Sequence, residues 1–193
     1  MQENFFQIED RHGVHIVRLQ STDETNRLTL QCVLALTDTI RNLGSQNRSL
    51  IIAGNDKFFS AGAELEEIAA LNGPAAYEFS KKGQVLMAAI ESFPTPVYAA
   101  ISGYCMGGGL DLALACRHRI ASPHAIFGHR GAALGLITGW GGTQRLPRLI
   151  GKARALELFV AAEKIHAARA LQIGLVDAIA EDPVTEGIFR SAR

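Results

Sequence analysis

Apolar residues fall in short runs along this chain, and each run hands over to a small-residue loop and then to a segment of helical period. Residues 5–10 and 14–19 alternate apolar and polar positions and read as two strands joined by a tight turn at His12-Gly13. Within that alternation His15 is expected to face outward. A helix follows the polar loop 21–26, with Thr29 as its cap and Leu34, Leu36, Ile40 and Leu43 as its apolar stripe. Residues 49–54 form an apolar strand ending in glycine, and the small-residue loop 55–65 leads into an acidic helix start at Glu64, Glu66 and Glu67, which suits the positive end of a helix dipole. Pro74 suits the first turn of the next helix, whose apolar positions are Phe79, Val85, Leu86, Met87 and Ile90.

The stretch 96–116 concentrates these features. An apolar strand over 96–101 passes through Gly107-Gly108-Gly109 into an apolar helix carrying Asp111 near its start. Strand, glycine turn and helix start gather bare N–H groups and a positive dipole end at one point, with a carboxylate alongside. Further on, residues 117–122 and 125–128 read as strands, 131–143 as a glycine-rich segment, 144–151, 153–162 and 167–174 as helices, and 175–179 as a last strand. The tail from Glu181 is polar and weakly patterned. Repetition of strand, loop and helix predicts an α/β fold with a largely parallel sheet and ligand sites on the loops after the strand ends. No linker divides the chain, so residues 1–193 are expected to form a single domain.

Composition narrows the function. The 193 residues carry 19 basic and 19 acidic side chains, interspersed, which offers no basic stripe for nucleic acid or a membrane surface. Cys32, Cys105 and Cys116 lack metal or disulfide spacing and read as small buried hydrophobes. Met1-Gln2-Glu3-Asn4 shows no signal-peptide pattern, and no apolar stretch free of glycine and charge is long enough to span a bilayer. A cytoplasmic protein that needs no metal is the expectation. Neither a phosphate-binding loop nor G-x-G-x-x-G is present, so the glycines alone do not distinguish a nucleotide site from an acyl site.

Three motifs are more specific: residues 59–65 (FSAGAEL), 103–113 (GYCMGGGLDLA) and 139–148 (GWGGTQRLPR). Together, and in this order, they resemble the crotonase superfamily, the enoyl-CoA hydratase/isomerase family, over roughly residues 5–179. The resemblance implies a spiral of ββα units, an acyl-CoA thioester substrate, no cofactor beyond the coenzyme A that the substrate carries, a place in fatty-acid metabolism, and a homo-oligomer such as a trimer or hexamer. By position it implies Ala63 and Gly108 as the two N–H donors of an oxyanion hole and Asp111 as the catalytic acid/base. Arg27, Ala61, Gly62, Glu64, Leu65 and Gly107 would contact the CoA thioester. His129, beside residue 131, and Thr138 and Trp140, which flank the glycine-rich helix start, are accessory candidates by their place in the sequence.

Two departures from the family pattern bear on the reaction. Hydratases of the family use two glutamates, and the corresponding positions here are Asp111 and Gly131, so the acid/base pair that adds water is incomplete. The helical C-terminal region that closes the acyl pocket in the family is expected to be short or absent. The resulting expectation is an enzyme of the hydratase/isomerase type that stabilises a thioester enolate and transfers a proton. The alternatives are a catalytically impaired acyl-CoA binding protein and a crotonase-fold hydrolase, decarboxylase or isomerase that does not use two glutamates.

Overall fold

A computed structural model describes residues 4–192. The signal-peptide reading of the N-terminus falls largely on residues 1–3, outside the described residues. The chain opens with the hairpin β1 (Phe6–Arg11) and β2 (Val14–Leu19), followed by β3 (Arg27–Leu28) and α1 (Leu30–Leu43). Next come β4 (Leu50–Ala53), β5 (Phe58–Ser60), β6 (Gly62–Ala63), α2 (Leu65–Ala69) and α3 (Gly73–Glu91). The second half holds β7 (Val97–Ile101), β8 (Tyr104–Met106), α4 (Gly108–Ala115), β9 (His118–Ala121) and β10 (Ile126–Gly128). It continues through α5 (Gly142–Ile150), α6 (Lys152–Ala161), β11 (Lys164–His166), α7 (Ala167–Gln172), β12 (Ala178–Ile179) and α8 (Pro183–Ser191).

The strands divide between two larger sheets and a small one. The six-stranded sheet runs β1-β2-β4-β7-β9-β12 and is parallel except for β1. The four-stranded sheet runs β11-β10-β8-β5, parallel except for β11, and β3 pairs with β6. In three successive units the first strand (β4, β7, β9) joins the six-stranded sheet and the second (β5, β8, β10) joins the four-stranded one before the chain returns through helix. This is the spiral of ββα units expected from the resemblance. It also makes three parallel strands of the second sheet end side by side.

Alternation along the inner strands explains why both faces of the six-stranded sheet are buried. Leu50 and Ile52 of β4 join the main core with α1, α3 and α4, while Ile51 and Ala53 face a second cluster with Ile16, Tyr98 and Ile120. That second face is covered by α8 through Val184 and Ile188. The tail read as weakly patterned is therefore a helix, capped by Asp182, whose carboxylate accepts from the N–H groups of Val184 and Thr185.

Other expectations are corrected by packing. His15 does not face outward: it is 1% exposed, and its Nδ1 lies 2.5 Å from Asp10 Oδ1 across the hairpin. A parallel sheet covered on both faces buries both sets of a strand's side chains, so polar character no longer marks the solvent side. Leu34 and Val85, placed in apolar stripes, are exposed. The strand read over 175–179 shortens to β12, because Leu175 and Asp177 are engaged by the buried Arg119. Its Nε donates to the Leu175 carbonyl at 2.8 Å, and its N–H to Asp177 Oδ2 at 2.7 Å. Thr29 caps α1 as expected, accepting from the Cys32 N–H. All three cysteines are buried and free, and burial pushes the Cys32 and Cys116 thiols up to about 12.

Candidate active site

The site is built where β5, β8 and β10 end together. Phe127 of β10 pairs with Cys105 of β8, which pairs in turn with Ser60 of β5. Past these ends the chain releases three segments into one space: 61–64 after β5, 107–111 after β8 and 129–131 after β10. The sequence predicts a direct passage from β7 through the glycines into the helix. In the structure β8 intervenes, and it carries the glycines from one sheet to the other.

Hydrogen-bond alternation orients the first segment. The Glu64 N–H donates to the Leu28 carbonyl on β3, which turns the preceding N–H, that of Ala63, to the opposite edge. There it meets the start of α4. A Cβ built on Gly108 would lie 3.2 Å from Ala63 N and 2.6 Å from the Trp140 ring, so only a bare backbone fits between them. Gly107 precedes it at φ +51°, ψ −120°, a conformation that side-chain-bearing residues rarely adopt. The N–H groups that open α4 have no carbonyl one turn back within the helix. Ala63 N thus lies beside Gly108 at the positive end of α4.

Residues not singled out by sequence reasoning hold this arrangement in place. The Asn26 side-chain amide donates to the carbonyls of Phe58 and Phe59 at 2.8 and 3.3 Å. The Ser60 hydroxyl donates to the Asn26 carbonyl at 2.7 Å and accepts from the Gly62 N–H at 3.1 Å. Asn26 sits at φ +52°, which asparagine tolerates better than most residues. That residue type beside a turn was the available signal.

Asp111 lies one turn into α4 and is 1% exposed. The Thr138 hydroxyl donates to its Oδ2. Its Oδ1 has no hydrogen-bond partner and lies 3.6 Å from Nε2 of His129, which is also buried and also without one. The His129 ring meets Phe159 edge-on at 5.2 Å. Gly131 carries no side chain here, and a Cβ on it would sit 2.7 Å from the Leu136 carbonyl oxygen, so this loop has closed over the position.

These groups open on one cavity of about 570 Å³, walled largely by apolar side chains of α2, α3 and the 134–140 segment. Ala61, Gly62, Ala63, Leu65, Gly107, Gly108, Asp111, His129, Thr138 and Trp140 all line it. Arg27 and Glu64 do not. They pair with each other at 3.1 Å, the Arg27 guanidinium donating to Glu64 Oε2, and Glu64 Oε1 caps α2 by accepting from the Glu66 N–H. Trp140 acts as wall: it packs on Phe79 at 5.3 Å and is seated against Gly83 of α3. Among the described residues no group of three or more His, Cys, Asp or Glu side chains is placed to hold a metal ion, and no helix is long and apolar enough to cross a membrane.

Comparison with known proteins adds the following. Residues 9–191 match the sequence model of the enoyl-CoA hydratase/isomerase family. The "Probable enoyl-CoA hydratase" of Bacillus subtilis is 49% identical over 136 residues, covering 70% of this chain and 53% of that protein. The "Crotonyl-CoA hydratase" of Syntrophomonas wolfei is 36% identical over 177 residues, 90% of this chain and 68% of that one. The crystal structure of enoyl-CoA hydratase from Bacillus anthracis superposes with a TM-score of 0.91 at 33% identity, covering 98% of this chain and 77% of that one. The alignments thus span between about half and three quarters of these relatives' own lengths.

Proposed function

Because the chain belongs to the enoyl-CoA hydratase/isomerase family, we propose that it binds an acyl-CoA thioester with the carbonyl oxygen between the Ala63 and Gly108 N–H groups and transfers a proton through Asp111. The observation that supports this reading is the close approach of Ala63 N to Gly108, where a Cβ on Gly108 would lie 3.2 Å from that nitrogen, in an apolar cavity that also holds a buried carboxylate. Donors held in place favour an enolate-like oxygen over a neutral carbonyl, and losing one costs ~3–4 kcal/mol of barrier. The reaction is of the hydratase or isomerase kind, and it draws on the chain's own groups and the coenzyme A of the substrate. A homo-oligomer, a trimer or hexamer, belongs to the same reading, and sedimentation velocity tests it.

Asp111→Asn is the direct test of the chemistry. It keeps the size of the side chain and an acceptor for the Thr138 hydroxyl while removing the acid/base. Turnover of 2-enoyl-CoA or 3-enoyl-CoA, followed through the conjugated thioester absorbance, is expected to fall by ~10²–10⁴-fold while acyl-CoA binding is retained. Turnover equal to that of the unsubstituted protein would remove Asp111 from the mechanism.

A further inference from the structure

Besides Asp111, the cavity wall carries a second buried titratable group, His129. Nε2 of His129 and Oδ1 of Asp111 face each other at 3.6 Å, and neither has a hydrogen-bond partner. The two side chains are 7% and 2% exposed. Buried polar atoms are nearly always paired, and two unpaired ones this close on a ligand cavity can both be satisfied by one polar atom of a ligand or water. The remaining contacts hold the pair in register. Thr138 occupies the other Asp111 oxygen, and Phe159 fixes the plane of the imidazole. At Gly131, two residues beyond His129, the loop leaves no space for a side chain.

Resting on the proposed acyl-CoA site, we infer that His129 is a second catalytic residue, and that His129 and Asp111 together hold a water or hydroxyl oxygen at the β-carbon of a 2-enoyl or 3-hydroxyacyl thioester. The step requires the pair to hold one proton, on the carboxyl, when the water attacks. His129 Nε2 accepts a proton from water as the water oxygen bonds to the β-carbon and the alkene electron pair moves into the enolate held by the two N–H groups. Asp111 then gives its proton to the α-carbon as the enolate collapses. The imidazolium returns its proton to the carboxylate, which restores the pair, and the net change is addition of H to one carbon and OH to the other. A carboxylate alone would have to serve as base and acid in the same step. The adjacency of His129 separates the two roles.

The test compares the unsubstituted protein with His129→Gln, which keeps length and polarity but not the proton. Three measurements are needed: affinity for butyryl-CoA, hydration of crotonyl-CoA, and the pH dependence of kcat/KM. The expected result is unchanged affinity, kcat lower by ~10²–10⁴-fold, and a pH profile of kcat/KM that differs from that of the unsubstituted protein. The other ionisable residues lining the cavity are Tyr104, Arg130 and Lys164, all unaltered in the variant. If His129→Gln also loses butyryl-CoA affinity, His129→Gly with added imidazole decides: restored hydration supports the assignment and its absence overturns it. Hydration within threefold of the unsubstituted rate with the same pH profile overturns the role of His129 and leaves the thioester site standing. An unsubstituted protein that binds butyryl-CoA without hydrating crotonyl-CoA overturns it too. Failure of the unsubstituted protein to bind butyryl-CoA counts against the thioester site itself.

Discussion

Asp23 shows how a residue distant from the cavity bears on the donor pair. The Ser21 hydroxyl donates to its Oδ1 at 2.7 Å, and the Thr25 hydroxyl and N–H donate to the same carboxylate. These bonds, led by that from Ser21, hold its pKa at about 2 rather than the usual 3.8. The loop they close delivers Asn26 to the carbonyls ahead of Ala63. A carboxyl whose pKa is lower in the folded state contributes stability that is complete above the unfolded value, near 3.8, and lost as pH falls toward 2. Asp23→Asn should therefore flatten the stability profile between these pH values and leave it unchanged in slope near neutrality, as followed by urea melts across pH. An equal slope in both proteins between pH 2 and 4 would show that the loop gains nothing from the charge.

Between elements, the contact that matters most for the site is α3 against the 139–141 turn. A Cβ at Gly83 would fall 2.1 Å from Trp140 Nε1, and the same ring lies 2.6 Å from where a Cβ on Gly108 would sit. The turn is held to α3 by Gln84, which donates to the Gly139 carbonyl at 2.8 Å, and by Arg145, whose guanidinium pairs with Glu91 at 2.6 Å. Gly83→Ala would ordinarily favour a helix by about 1 kcal/mol. Here the added methyl must displace the indole toward the N–H donors, and overpacking of this kind costs about 1–3 kcal/mol. The expected outcome is a lower melting temperature together with weaker acyl-CoA binding. A variant with both unchanged would show that Trp140 is free to re-seat. Elements of this size also mark what sequence could and could not reveal. The uniformly apolar runs of β4 and β7, the alternation in β2 and the helical period of α3 each carry a pattern that can be read. The two- and three-residue strands β6, β8 and β11 are too short to show one and exist because a neighbouring strand offers its edge. In α8 a one-sided stripe of Val184 and Ile188 suffices, because it has only one sheet face to cover.

Across the whole molecule, the candidate site is a junction rather than a property of any one unit. The proposed donors come from β6 and α4, Asp111 from α4, Thr138 from the segment before α5, and His129 from the end of β10. The motifs around Ala63, Gly108 and Asp111 were legible because each is a local run of distinctive residues. The meeting of His129 with Asp111 was not, since it depends on β8 and β10 lying in register in a sheet that the sequence reading left out. A ligand that touches all these segments should bind only the assembled fold, and folded-state binding raises stability by RT ln(1 + [L]/Kd), about 2.7 kcal/mol at a hundredfold excess over Kd. For a chain of 193 residues that corresponds to a rise in Tm of about 5–10 °C. Scanning fluorimetry with butyryl-CoA at that excess is expected to show the rise, and with free coenzyme A, which has no thioester carbonyl for the two N–H groups, a smaller one at equal concentration. Equal shifts with both ligands would place the binding energy in the CoA arm alone and leave the donor pair without a measurable share in the ground state.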